Sequence, residues 1–172
     1  MKQLFFISAI IVFIACNSNN KSEIDFKQEI DTTKIQQEKV PDSIAEVNAF
    51  VDAVNAQDSV FDDGTIPSAW WEAGFKNSVT FKIFVDDVKT WVKKSMIDSI
   101  AAHIKFPLKN INNATDFKAN YNKIFTDSLQ KKIAQQRLDR ISRNAKGAMI
   151  ADGAVWFNEM KGKYFITAIN NK

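Results

Sequence analysis

Residues Leu4 to Ile14 (LFFISAIIVFI) form an uncharged apolar run of eleven residues, entered by Lys2 and closed by Ala15 and the single cysteine, Cys16. This run limits first what the chain can fold into. A helix needs about 20 apolar residues to cross the hydrocarbon core of a bilayer, so eleven is too short for a stable span. A basic start, a short apolar stretch and a small residue before a cut are the pattern of a cleavable secretory signal. Residues 1–15 are therefore expected to leave the chain, and the fold must be sought beyond them. A single cysteine excludes any intrachain disulfide. The folded part has to hold itself together by burial, and a chain of roughly 150 residues buries about two-thirds of its unfolded surface.

Phe13-Ile14-Ala15-Cys16 resembles the bacterial lipobox. In that motif a small residue precedes a cysteine that is diacylated and becomes the new N-terminus. Leu is usual at the first position, where Phe13 stands here. A thiol suits the task because its sulfur is nucleophilic enough to form a thioether to the lipid. Two or three acyl chains make a durable anchor where one binds only marginally. The resemblance implies a membrane-tethered domain with Cys16 as the lipidated residue. Asn17, in place of aspartate, resembles the bacterial sorting pattern for the outer membrane, with either a periplasmic or a surface face. A formal net charge of +3 is too near neutral to argue for nucleic acid.

After the cysteine, residues 16–40 read as a flexible tether. Asn17 to Val40 carry four lysines and five acids among few apolar positions, too little apolar surface to offset the entropy of ordering. Residues 41–77 are expected to hold a helix and a tryptophan-containing loop. Ser43 and Glu46 form a capping box, and Ile44, Val47, Phe50, Val51 and Val54 recur at helical spacing to about Gln57. Asp62-Asp63-Gly64 and Pro67 then break the chain. This acidic cluster fails the EF-hand order, since aligning Gly64 with the loop glycine puts Phe61 and Trp70 at ligand positions.

The clearest helix runs from about Ser78 to Lys94, with Phe81, Phe84, Val85, Val88 and Val92 on one stripe. A short helical turn capped by Asp98 comes next. His103 to Lys109 alternates strictly, Ile104, Phe106 and Leu108 against His103, Lys105 and Pro107, which predicts a strand with Pro107 at an edge or bend. Asn113 caps a helix through Phe117, Tyr121, Ile124 and Phe125. Thr126 or Asp127 starts another through Leu129, Ile133 and Leu138. The tail changes to period two. Asp152-Gly153 predicts a two-residue hairpin between Met149-Ile150 and Val155-Trp156-Phe157, and Lys161-Gly162 turns the chain into Tyr164 to Ile169. Helices, a strand, more helices and a three-strand meander spell α+β.

Several stretches are similar to members of the nuclear transport factor two-like superfamily. Asp98 to Leu108 looks like their helix-to-strand passage, and Tyr121-Asn122-Lys123-Ile124-Phe125 like their next helix. Gly147 to Phe157 and Ile166 to Asn170 resemble the closing strands. The resemblance covers residues 78–172 and is of a structural kind. It implies a curved antiparallel sheet packed on helices, a cystatin-like cone with a pocket. About four strands are legible here, fewer than the superfamily's usual larger sheet, and the helix read in 41–77 precedes them as an N-terminal extension without a counterpart in the superfamily. Members include isomerases, dehydratases and plain binding proteins, so the fold alone does not choose.

His103 is the only histidine and so the only imidazole available for catalysis at neutral pH. It would need a carboxylate such as Asp116 or Asp152 beside it, and Tyr121 is a candidate partner for developing charge. No Gly-x-Ser-x-Gly context, glycine-rich loop or second metal ligand accompanies it, so no metal or cofactor is expected. The four tryptophans suggest aromatic contacts. Trp70 and Trp71 are adjacent in a loop, Trp156 lies in the hairpin, and Trp91 is off the main helix stripe. Such faces stack on sugars and partner proteins, or pack the 41–75 segment onto the domain. Lys131 to Lys146 holds six cations against Asp139 alone, a patch suited to anionic headgroups or acidic polysaccharide, or a solvated face.

The expectation from sequence is a lipid-anchored α+β envelope domain that binds a surface component, a small apolar ligand or another envelope protein, and is not an enzyme. Trp70, Trp71, His103 and Tyr121 are its candidate contact residues. An isomerase- or hydrolase-type enzyme using His103 or an acid as base is the alternative. A structural subunit docking through the tryptophan loop is a third reading.

Overall fold

The computed structural model describes residues 44–61 and 64–170. The chain divides into two units, residues 1–40 and 41–172, and the described residues belong to the second. The signal, Cys16, the tether and the Ser43 half of the capping box lie outside them.

The second unit is α+β, with six helices and one antiparallel sheet of four strands among the described residues. Helix α1 (Ile44–Asn55) buries only Val54 of its apolar stripe, while Ile44 is 81% exposed. Helix α2 (Ser78–Lys93) buries Phe81, Phe84, Val85, Val88 and Val92, the stripe its periodicity set out. Its first turn is held by Asn77, whose Oδ1 accepts from the Thr80 amide at 3.1 Å. Helix α3 (Ile97–Ala102) starts one residue before Asp98, so Asp98 lies inside the first turn instead of capping it. Its carboxylate pairs with Lys118.

Asn113 does cap helix α4 (Ala114–Ala119), accepting from the Asp116 amide at 2.9 Å. Asn120 then interrupts the helix, and α5 (Tyr121–Ile124) continues as a separate turn. Thr126 caps α6 (Asp127–Gln135). That helix stops before Leu138, short of its apolar spacing. The Gln136 side chain ends it by donating to the carbonyls of Arg137 and Arg140 and accepting from the Ala151 amide.

The strands run in simple meander order: β1 (Ser142–Asn144), β2 (Gly147–Ile150), β3 (Val155–Met160) and β4 (Lys163–Ile169). The chain does turn at Asp152 and Gly153, but the ladder ends at Ile150 and Val155, so the connection is four residues, 151–154, and not two: Ala151, Asp152 and Gly153 are all at positive φ, and the Ala154 amide closes on the Ala151 carbonyl. Lys161 and Gly162, both at positive φ, form the two-residue loop between Met160 and Lys163. A bulge between Trp156 and Phe157 leaves Thr167 outside the ladder.

Two expectations about strands are corrected. The alternation at 103–109 is not a strand: its only ladder pairings are isolated bridges, Ile104 to Ile166 and Leu108 to Ile111. Ile104 and Leu108 are buried as the pattern implied, but Pro107 has no amide to donate, and the chain bends through 108–111 with Asn110 at positive φ. The fourth strand is β1 instead, a three-residue segment without an apolar side chain. Its middle residue, Arg143, points inward and is buried. The core between sheet and helices is dominated by Phe75, Phe81, Phe117, Phe125 and Phe157, all fully buried.

Candidate functional site

The candidate contact residues from sequence do not converge. Trp71 is 76% exposed at the loop tip. Trp70, its neighbour, is half-buried and stacks edge-on against Phe75 and Phe81. Its indole N–H donates to Asp58 at 2.8 Å. The Arg143 guanidinium lies 4.0 Å over its ring and donates to the same Asp58 oxygen at 2.8 Å. Lys82 faces the other oxygen, Oδ1, at 3.4 Å and donates to the Ala56 carbonyl at 2.7 Å. Two buried cations thus share one carboxylate. Burial pushes the Arg143 guanidinium down, and the charge of Asp58 and its hydrogen bond pull it back. The arrangement pins the 56–70 loop to α2 and β1. It is a clamp built from residues that local patterning does not connect.

His103 sits just after α3, half-buried, with its ring stacked on Trp91 at 4.6 Å and tilted against Phe84. Its Nδ1 lies 2.8 Å from the Ser99 carbonyl. A carbonyl only accepts, so Nδ1 carries the proton and the ring is oriented by backbone and aromatic packing. Tyr121 is 3% exposed and stacked on Phe125, with its hydroxyl lacking a hydrogen-bond partner. Burial raises its phenol above the ordinary value.

Two clefts open elsewhere. The first, about 910 Å³, lies among the 108–111 bend, α5, α6 and the turn between β2 and β3. Lys109, Lys123 and Lys132 line it with Trp156, whose indole N–H donates to the Gly153 carbonyl at 2.9 Å. The second, about 820 Å³, lies between the Phe61–Ser68 loop and the segment from α6 to β2. Lys132, Arg137, Arg140 and Arg143 line it. The two meet at Lys132, Ala151, Asp152 and Gly153, where Lys132 and Asp152 pair at 3.0 Å. Arg137 is engaged by Asp139 in a two-pronged contact, and that hydrogen bond holds the Asp139 carboxyl below its ordinary range. Trp70, Trp71, His103 and Tyr121 line neither cleft.

Comparison with family models, curated proteins and solved structures finds no match. The chemistry of this chain must therefore be argued from its own side chains. Among the described residues no group of three or more His, Cys, Asp or Glu could hold a metal ion, and no helix is long and apolar enough to cross a membrane. Sequence reading singled out the cations of 131–146 and Trp156; the fold places Lys132, Arg137, Arg140, Arg143 and Trp156 around the clefts, but Lys131 and Lys146 line neither. Lys109 and Lys123 carried no sequence signal, because only the bend at 108–111 and the break at Asn120 bring them to the same cleft.

Proposed function

We propose that this chain is a lipid-anchored envelope domain, held through Cys16 and facing the periplasm or the cell surface at the outer membrane. It holds a polar ligand or partner without transforming it. We further propose that its sheet curves into the cone of the nuclear transport factor two-like superfamily; the meander backed by helices supports that reading. The N-terminal apolar run and the cysteine after Ala15 support the anchor.

The observation that carries binding over catalysis is the commitment of the one imidazole. His103 is bonded to a backbone carbonyl, stacked on Trp91, and lines neither cleft. General acid–base work needs the group within hydrogen-bond reach of the substrate proton. The carboxylate that lines both clefts, Asp152, is exposed and paired with Lys132. The clefts themselves have the size of ligand sites, and their lining mixes lysine, arginine and asparagine with aliphatic side chains such as Leu108, Ile124 and Leu129, which suits an occupant that carries polar groups.

The test is to incubate the solubilised full chain with an extract of its own envelope and follow both by mass spectrometry. The binding reading expects a component that associates with the protein and is recovered chemically unchanged. New products that disappear with His103→Ala or Asp152→Asn would overturn it in favour of the isomerase or hydrolase alternative.

A further inference from the structure

Helix α1 carries an apolar stripe that its own domain leaves largely unused. Ile44, Val47, Val51 and Val54 recur three and four positions apart, the spacing of a helix face meant for burial. Only Val54 is buried, at the C-terminal end, where the Lys82 ammonium also donates to the Ala56 carbonyl and ties the chain to α2. Toward the other end the stripe lies in solvent: Val51 is 47% exposed, Val47 40% and Ile44 81%. Phe50 beside it is exposed as well. A twelve-residue helix is marginal by itself in water, and a contiguous apolar face on it marks a contact surface. The ionisable side chains of α1 are Glu46 and Asp52, with no lysine or arginine among its residues.

We propose that this face of α1 lies in the surface of a zwitterionic bilayer, with Ile44, Val47, Phe50 and Val51 entering the boundary between headgroups and acyl chains. The inference rests on the anchor proposed at Cys16 and adds a second, reversible membrane contact that orients the domain. Position favours the bilayer as occupant. Helix α1 is the first described element after Cys16, and residues 17–43, 27 in all, separate the two. Whatever their conformation, these span at most roughly 90 Å. A contact tethered so closely forms at high effective concentration, so even a short apolar face suffices. Exposure of the stripe is also greatest at Ile44, the end at which the chain arrives from Cys16. Charge points the same way. If two copies paired through this face by a two-fold axis, Glu46 and Asp52 would meet the same acids of the other copy. Zwitterionic headgroups carry no net charge and impose no such repulsion, whereas anionic ones do.

The experiment places the mature lipidated chain in vesicles of phosphatidylethanolamine and phosphatidylcholine. Because Cys16 is the single cysteine and is then bonded to lipid, an introduced cysteine can be labelled selectively with an environment-sensitive fluorophore. Asn48→Cys puts the label on the stripe side, four positions after Ile44 and three before Val51. Ala49→Cys puts it on the opposite side, two positions from both Val47 and Val51. Both sites are exposed. A nitroxide on the lipid acyl chains should quench the label at 48 severalfold more than the label at 49. The added substitutions Ile44→Asp/Val51→Asp should abolish that contrast, and Ile44→Leu/Val51→Leu, which keep the apolar surface, should preserve it. Replacing half the lipid by phosphatidylglycerol should reduce it. Equal quenching at the two sites, a contrast that survives the aspartates, or a contrast that grows with phosphatidylglycerol would each overturn the inference. So would blue-shifted emission at 48 that the lipid quencher does not reach. If that emission grew with protein density, a second copy would cover the face; if it were constant on dilution, a segment of the same chain would. In all these cases a chain that still floats with the vesicles leaves the anchor standing. A chain that does not float would overturn the anchor and the inference together.

Discussion

Asp58 shows how far a single residue's role can depend on partners that are distant in sequence. Lys82 and Arg143 are both almost fully buried and both rely on this one carboxylate. Removing one member of a buried ionic group leaves uncompensated charge, so Asp58→Ala should lower stability by about 3–5 kcal/mol, read from urea unfolding. Trp70 should then become more exposed, seen as a red-shifted emission. Tyr121 gives the opposite sign. Its hydroxyl is buried without a hydrogen bond, and such a group costs roughly 1–3 kcal/mol. Tyr121→Phe should therefore stabilise the protein by about 1 kcal/mol if the hydroxyl has no ligand to meet. Because burial raises the phenol's folded value above its ordinary 10.0, the neutral form is favoured in the folded state. That contribution is complete below the ordinary value and is lost as the pH climbs to the raised one. The phenylalanine variant should unfold less steeply with alkali, and an unchanged alkaline limb would refute the assignment.

At the scale of elements, the hairpins are the parts most closely determined by local chemistry. Lys161-Gly162 supplies the two consecutive positive φ values a two-residue loop needs, and Ala151-Asp152-Gly153 supplies three in the longer β2–β3 turn. Gly147 is required for a different reason. Its φ is +128, and a Cβ there would lie 2.3 Å from the Phe157 carbonyl oxygen. Gly147→Ala should cost at least about 2 kcal/mol, measured by thermal unfolding. Exchange protection should be lost first in β1, which is tied to the sheet only through β2. Equal protection in β1 and β4 would count against this. The strand expected at 103–109 failed at the same scale. Its alternation truly reports burial of Ile104 and Leu108, but burial does not supply partners, and the segment finds only two isolated bridges, Ile104 to Ile166 and Leu108 to Ile111. β1 escaped sequence reading for the converse reason: it gains its partners from Gly147, Ala148 and Met149 without an apolar pattern of its own.

For the whole molecule, the anchor is the claim that stands nearest to experiment. A Cys16→Ala precursor should take up no radiolabelled fatty acid, and unchanged labelling would sink the lipoprotein reading. Legible in the sequence by itself was whatever depends on neighbours a few positions away: the buried stripe of α2, the caps at Asn113 and Thr126, the glycine turns, and the pattern that motivates the export proposal. These are local because capping bonds, helical faces and hairpin φ values span at most about one or two turns of chain. The tertiary structure alone decided which side chains share a space. Asp58 and Arg143 meet across 85 positions, and Lys109 reaches the cleft of Lys132 and Trp156 only because Pro107 and Asn110 bend the chain toward α6. No local preference encodes such meetings. They arise from packing one apolar core, which carries the polar residues on its back to positions set by the fold.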